Sequence, residues 1–187
     1  MDIMKIISFI EEAELLKSVV RTAWTSQGRR ESTAEHSWRL ALLTSVMYDN
    51  YPELDLSRML MMCLVHDIGE IYEGDISAAL RPDQEDKFQT EYDAAQKVFS
   101  LLPRQQAGRL MEIWLEYNEG TTAEARLVKA LDKAETILQH NAGKNPSDFN
   151  YQFNLEYGKK YFKEDAVLEE LRMALDAATR KKVKGQT

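Results

Sequence analysis

The sequence predicts an all-α fold, and three observations carry that prediction. Only 8 Gly and 4 Pro punctuate 187 residues. Leu, Ala, Glu, Lys and Met are plentiful while β-branched alternation is scarce, a composition that favours helices. Ser32-Thr33-Ala34-Glu35 and Thr121-Thr122-Ala123-Glu124 both read as capping boxes, with a hydroxyl at the cap and a Glu folding back on it.

The elements follow in order. A first helix is expected from Asp2 to Val19, because Ile6, Ile7, Ile10, Ala13 and Leu16 keep helical spacing. Arg21 to Glu31 is a polar stretch containing Gly28 and is expected as a loop. The second helix starts at the Ser32 cap and runs to about Tyr48, with Pro52 in the loop beyond. A third helix is expected from about Asp55 to Ile71. Met59, Leu60, Met62, Cys63, Leu64 and Val65 make it apolar on most sides, so it should be central. Helices are expected from about Gln84 to Leu102 after Pro82, from Pro103 to Glu119, and from the second capping box to about Asn141. Gly143 to Ser147 reads as a loop. One or two helices close the chain, ending in a solvated, frayed basic tail, Arg180 to Lys184.

The length predicts one domain over 1–187, its core roughly 6–142, with C-terminal helices and a basic tail over 148–187. With 24 Lys+Arg against 31 Asp+Glu the formal net charge is −7, which argues against sequence-independent binding of a nucleic acid polymer. One cysteine, Cys63, excludes an intramolecular disulfide framework and a thiolate zinc cluster. No apolar run approaches the roughly 20 residues of a membrane span. No signal peptide is evident, and a cytoplasmic protein is expected.

Two of three histidines lie in the apolar helical regions: His36, and His66 in Leu-Val-His-Asp-Ile-Gly-Glu. A His-Asp pair after the run Met61 to Val65 is costly unless paired or bound to a metal. Asp67 and His66 can flank one ion only near the edge of their helix face, so further ligands must come from elsewhere. His36 is the first choice and Asp132, beside Leu131 on a core-packed helix, the second. Two imidazoles and two carboxylates suit one Mn, Co, Fe, Zn or Ni ion better than Ca, and Mg stays open. Glu70 follows His66 by four residues and Asp67 by three, so on a helix all three share a side. Asp75 follows Gly74 in a turn that can reach back. Trp24 beside Arg21 offers stacking and anion binding. Bland roles suit the rest: Glu35 as a cap, Trp38 and Trp114 as core aromatics, Arg29-Arg30 as solvated loop charges, His140 complementing a helix dipole.

Together His36, His66-Asp67 and Asp132 on a helical chain resemble the HD-domain metal-dependent phosphohydrolases. The run from His66 to Asp75 looks like the His-Asp-x-x-Glu-x-x-x-Gly-Asp of their 5′-deoxynucleotidase branch, as do Arg21-Thr-Ala-Trp24 and Arg30 to Trp38. The resemblance spans roughly Ile6 to His140. It implies a single compact helical bundle of the HD-domain type around one divalent metal, commonly a homodimer. It implies hydrolysis of 2′-deoxyribonucleoside 5′-monophosphates, with His36, His66, Asp67 and Asp132 as ligands. Glu70 and Asp75 match acid/base or water-positioning carboxylates, and Arg21 and Trp24 a phosphate- and sugar-contacting pair. Two rival readings stand beside it: an HD-type phosphodiesterase or nucleotide pyrophosphohydrolase, and a non-catalytic, metal-stabilised nucleotide-binding module.

Overall fold

Seven α-helices and one short β-hairpin make up the described residues, 2–80 and 83–186, of a computed structural model. α1 (Ile3–Ala13) starts at an Asp2 cap and ends sooner than its periodicity suggests, passing into a 3-10 turn at Glu14–Lys17. Ile6, Phe9 and Ala13 lean on the core, whereas Ile7 and Ile10 stay exposed.

The expected polar loop is instead a hairpin, β1 (Val20–Trp24) antiparallel to β2 (Arg30–Ser32). Gly28 closes its tip at φ 86°, a left-handed conformation that glycine adopts without a Cβ penalty. The strand was hidden because its inward positions are Arg21 and Ala23, so alternation in burial is not alternation in hydropathy.

α2 (Thr33–Met47) begins with the capping box as read: Ser32 accepts from the Glu35 amide, and Glu35 accepts from the Ser32 amide. Trp38 on this helix is 64% exposed, not core. α3 (Leu56–Val65) stops six residues early. His66 caps it, Asp67 turns out at φ −98° and ψ 13°, and Ile68–Glu70 form a 3-10 turn. Close packing follows the break: a Cβ on Gly69 would sit 2.6 Å from the Glu91 carbonyl oxygen of α4 (Gln84–Phe99). Pro82, expected ahead of α4, lies outside the described residues.

α5 (Arg104–Glu119) follows Pro103 and ends at left-handed Gly120. α6 (Ala123–Ala142) is capped by Thr122, which accepts from the Ala125 amide. No second capping box forms there: Glu124 accepts from the Asp55 amide instead. α6, rather than α3, is the central helix. Twelve of its residues are buried, and it packs against α2, α3, α5, β1 and α7 (Ala166–Gln186). Leu40, Met59, Met62, Phe99, Trp114, Leu131 and Ile137 fill the core, each burial contributing roughly 1.5–3 kcal/mol.

That core extends past 142, since Phe162, Leu168 and Leu175 join it. The basic tail continues α7 and is exposed over most of its length. No helix among the described residues is long and apolar enough to cross a membrane.

Candidate metal centre

Four elements meet at one point. The α2 cap places His36 one turn into that helix, fully buried. The break after α3 lets the adjacent residues His66 and Asp67 face the same spot, which a continuous helix, at about 100° per residue, opposes. Asp132 comes from the middle of α6 and Arg21 from β1. His66 Nε2 lies 3.1 Å from Asp67 Oδ2. His36 Nε2 lies 3.2 Å from Asp132 Oδ1 and 3.7 Å from Asp67 Oδ2.

Each imidazole is held from behind. The His66 ring bonds through Nδ1 to the Cys63 carbonyl at 3.0 Å, and His36 through Nδ1 to the Glu135 carboxylate. With Nδ1–H donating, both Nε2 lone pairs turn toward the carboxylates. Both Nε2 atoms are buried without a hydrogen-bond partner among the described residues. Buried nitrogens are seldom left so. Two buried Nε2 atoms without a hydrogen-bond partner, set beside two carboxylates, fit a divalent ion, and His36, His66, Asp67 and Asp132 are the residues that would hold it. Glu31, His36 and Glu135 also cluster, but there His36 is already engaged at Nδ1.

Charge is compensated around the cluster. Burial pushes the Asp67 carboxyl up, but His66, His36 and Arg21 outweigh it and hold the group below the usual carboxylate range. Arg21 Nη1 donates to Asp67 Oδ2 at 3.4 Å and Nη2 to Thr136 Oγ1 at 3.0 Å, while Nε lies 3.5 Å from Glu31. Asp132 Oδ2 accepts from Tyr117 Oη and Lys133 Nζ, each at 2.7 Å. Behind His36, burial and then Glu135 push the Glu31 carboxyl up to about 7.

Glu70 is buried and accepts from Thr33 Oγ1 at 3.2 Å. Burial, then the charges of Asp67 and Asp75, hold its carboxyl well above the ordinary range. Asp75 lines the cavity that opens over the cluster, together with Arg21, His66, Asp67 and Asp132. This cavity measures about 820 Å³, within the range of small-molecule sites. Phe88, Tyr157 and Tyr161 give it aromatic walls.

The structure thus brings together His36, His66, Asp67, Asp132, Arg21, Glu70 and Asp75. It does not bring in Trp24. On the strand Trp24 faces away from Arg21, with Phe149 edge-on at 5.9 Å and the Arg30 guanidinium 5.7 Å above its ring. Arg29, read as solvated, forms an exposed bidentate pair with Glu35. His140 is buried against Asn154, and burial lowers its pKa, which disfavours the charged form that a dipole partner needs.

Sequence reasoning missed Glu135, Tyr117 and a set of lysines. Glu135 carried a signal, since it follows Asp132 by three residues and so shares its helix face. Tyr117 and Lys159 to Lys163 carried none, because they reach the cavity from elements distant in sequence.

The family profile described as "HD domain" matches residues 13–172. The human protein named 5′-deoxynucleotidase HDDC2 is 36% identical over 136 residues, 72% of this chain and 66% of its own. The fission yeast Schizosaccharomyces pombe protein named 5′-deoxynucleotidase hdd1 is 34% identical over 142 residues, 73% of this chain and 71% of its own. The chain therefore spans about two thirds of the human relative's length. A crystal structure described as a predicted metal-dependent phosphohydrolase from Magnetospirillum magnetotacticum MS-1 superposes with a TM-score of 0.77. It shares 28% identity and covers 98% of this chain and 97% of its own. The helical fold, the His-Asp cluster and these likenesses agree: the chain belongs to the HD domain family.

Proposed function

We propose that this protein is a 5′-deoxynucleotidase, hydrolysing 2′-deoxyribonucleoside 5′-monophosphates to the deoxynucleoside and phosphate. One observation carries the reading. Two buried imidazoles with unpartnered Nε2 atoms converge with Asp67 and Asp132 beneath a cavity of about 820 Å³ that His66, Asp67 and Asp132 line. Relatives bearing that activity in their names support the substrate class.

His36, His66, Asp67 and Asp132 would hold one divalent ion of the Mn, Co, Fe, Zn or Ni group, with Mg also open. When bound, that ion supplies Lewis-acid polarisation of a phosphoryl oxygen and of a water. The chain's own residues do the rest. Glu70, whose carboxyl is held well above the ordinary range by burial and by its acidic neighbours, gives a proton to the leaving 5′ oxygen. Asp75, at the cavity wall, orients the attacking water. Arg21 holds Asp67 in place and adds positive charge beside the phosphoryl group. Trp24 has no part in the cavity as it stands, so its assignment to the sugar requires movement of the hairpin. The homodimer implied by the resemblance has a suitable face: Trp38, Leu42 and Val46 form an exposed apolar stripe at helical spacing on α2.

The test is phosphate release from a panel of 5′-deoxy- and ribonucleotides with Co²⁺, Mn²⁺ or EDTA. Metal-dependent release from deoxynucleotides, with little from ribonucleotides, is expected. No release from any monophosphate by a metal-loaded protein would overturn the reading. Product analysis then separates diester and pyrophosphate cleavage from a binding role.

A further inference from the structure

The chain carries a net charge of −7, yet one wall of the cavity is cationic. Lys129, Lys133, Lys159, Lys160 and Lys163 line it, facing the His-Asp floor. Two of these lysines sit in built positions. Lys129 and Lys133 are one turn apart on α6, so they project side by side. Gly120, at φ 66°, leaves room for the first: a Cβ there would meet Lys129 Cε at 3.0 Å. Gly158, at φ 67°, does the same for the second: a Cβ there would meet Lys133 Cβ and Cγ at 2.7 Å. The ammonium of Lys129 lies 4.4 Å from the Tyr117 ring centroid, and that of Lys133 5.4 Å from the Tyr157 ring centroid.

Their charges are not evenly answered. Lys133 bonds to Asp132, and Lys159 to Glu156. Among the described residues, no carboxylate lies within ion-pair distance of Lys129 or Lys160. Burial, then repulsion from Lys133, lowers the Lys129 pKa to about 8. Cations set side by side in a half-buried wall cost free energy that a bound anion would offset. Arg21 differs, since Asp67, Glu31 and Thr136 already engage its guanidinium.

Building on the deoxynucleotidase reading, we propose that Lys129, with Lys133 and Lys160, forms the wall that binds the phosphoryl dianion. That anion is the substrate's phosphate before reaction and free phosphate after it. Lys133, bonded to Asp132, spans the floor and this wall. The geometry assigns to Lys129 the charge that a neutral substrate analogue would not use.

The test is calorimetric titration of the Co²⁺-loaded full chain with inorganic phosphate, in wild type, Lys129→Met, Lys129→Arg and Lys160→Ala. The expected result is phosphate affinity weakened about ten- to a hundredfold by Lys129→Met and largely restored by Lys129→Arg. Lys160→Ala, at a lysine of the surface turn, is expected to weaken it in the same direction. It decides the question if Lys129→Met does not fold. For the deoxynucleotide, KM should rise in parallel, while binding of the uncharged deoxynucleoside should not change. Wild-type affinity retained in both Lys129→Met and Lys160→Ala overturns the proposal, as does failure of wild type to bind phosphate. Deoxynucleotide turnover is scored separately. Its absence, with lysine-dependent phosphate binding intact, counts against the deoxynucleotidase reading and leaves the anion wall standing.

Discussion

Glu135→Gln isolates the contribution of the residue behind His36. The Glu135 side chain is fully buried; Oε2 accepts from His36 Nδ1–H, and Oε1 lies 3.2 Å from Arg39 Nη1. Alanine here would strand a buried ring and an arginine, at a cost of about 3–5 kcal/mol that would confuse folding with function. Glutamine keeps the volume and one accepting oxygen for His36 Nδ1–H, removes the charge, and sets its NH2 where Oε1 faced Arg39 Nη1, so Arg39 must shift toward Gln139. An imidazole backed by a neutral amide is a poorer donor at Nε2 than one backed by a carboxylate. Loss of such a supporting partner typically costs 10–100-fold in metal affinity, or about 1.4–2.7 kcal/mol. Chelator competition with Co²⁺ measures this directly. Nitrogen shifts of the His36 ring in the ion-free protein give a readout independent of activity. A glutamine variant that binds Co²⁺ within about threefold of wild type, with unchanged ring shifts, would refute the reasoning.

Other outcomes follow from the same geometry. Glu70→Gln should lower turnover about 10²–10⁴-fold. It should also change stability in the metal-free chain, with a definite sign. The folded carboxyl is raised by burial and by Asp67 and Asp75, so its contribution is complete at low pH and is lost as pH rises through the folded value. Melts of both proteins from about pH 5 to about pH 8 should therefore show Glu70→Gln gaining on wild type as pH rises; parallel curves would contradict this. Gly143→Ala should cost about 1–3 kcal/mol in denaturant unfolding, because a Cβ there collides with the Trp24 carbonyl where the hairpin meets the end of α6. Adding Co²⁺ to about 100 times its Kd should stabilise the chelated protein by about 2.7 kcal/mol, an increment that Asp67→Ala should abolish. The proposed homodimer predicts that wild type sediments as a dimer and Trp38→Glu, on the exposed α2 stripe, as a monomer; a wild-type monomer, or equal sedimentation coefficients, would count against an interface there.

Much of the fold was legible because helices announce themselves locally. The Ser32 box, the Asp55 cap, Pro103 and the apolar periods on either side need no tertiary information. The hairpin was not legible, because Arg21 occupies an inward strand position that hydropathy scores as outward. Trp38 was misplaced for the converse reason: nothing in the described residues covers its face of α2. The turn beyond α3 packs through Gly69 against the Glu91 backbone, a contact across 22 positions that no local spacing announces.

Residue types alone determined which side chains could do chemistry here. His-Asp after an apolar run and Asp132 on a core helix are costly unless they answer one another or an ion, and that cost is set by solvation, not by topology. Tertiary structure decided how they answer. It turned both Nε2 atoms inward by engaging Nδ1, at Cys63 for one ring and Glu135 for the other. It turned Trp24 away from Arg21 and folded Lys159 to Lys163 over a floor supplied by α2, α3 and α6. Hydrogen-bond direction and the approach of distant segments depend on packing among elements far apart in the chain, and no local spacing encodes them.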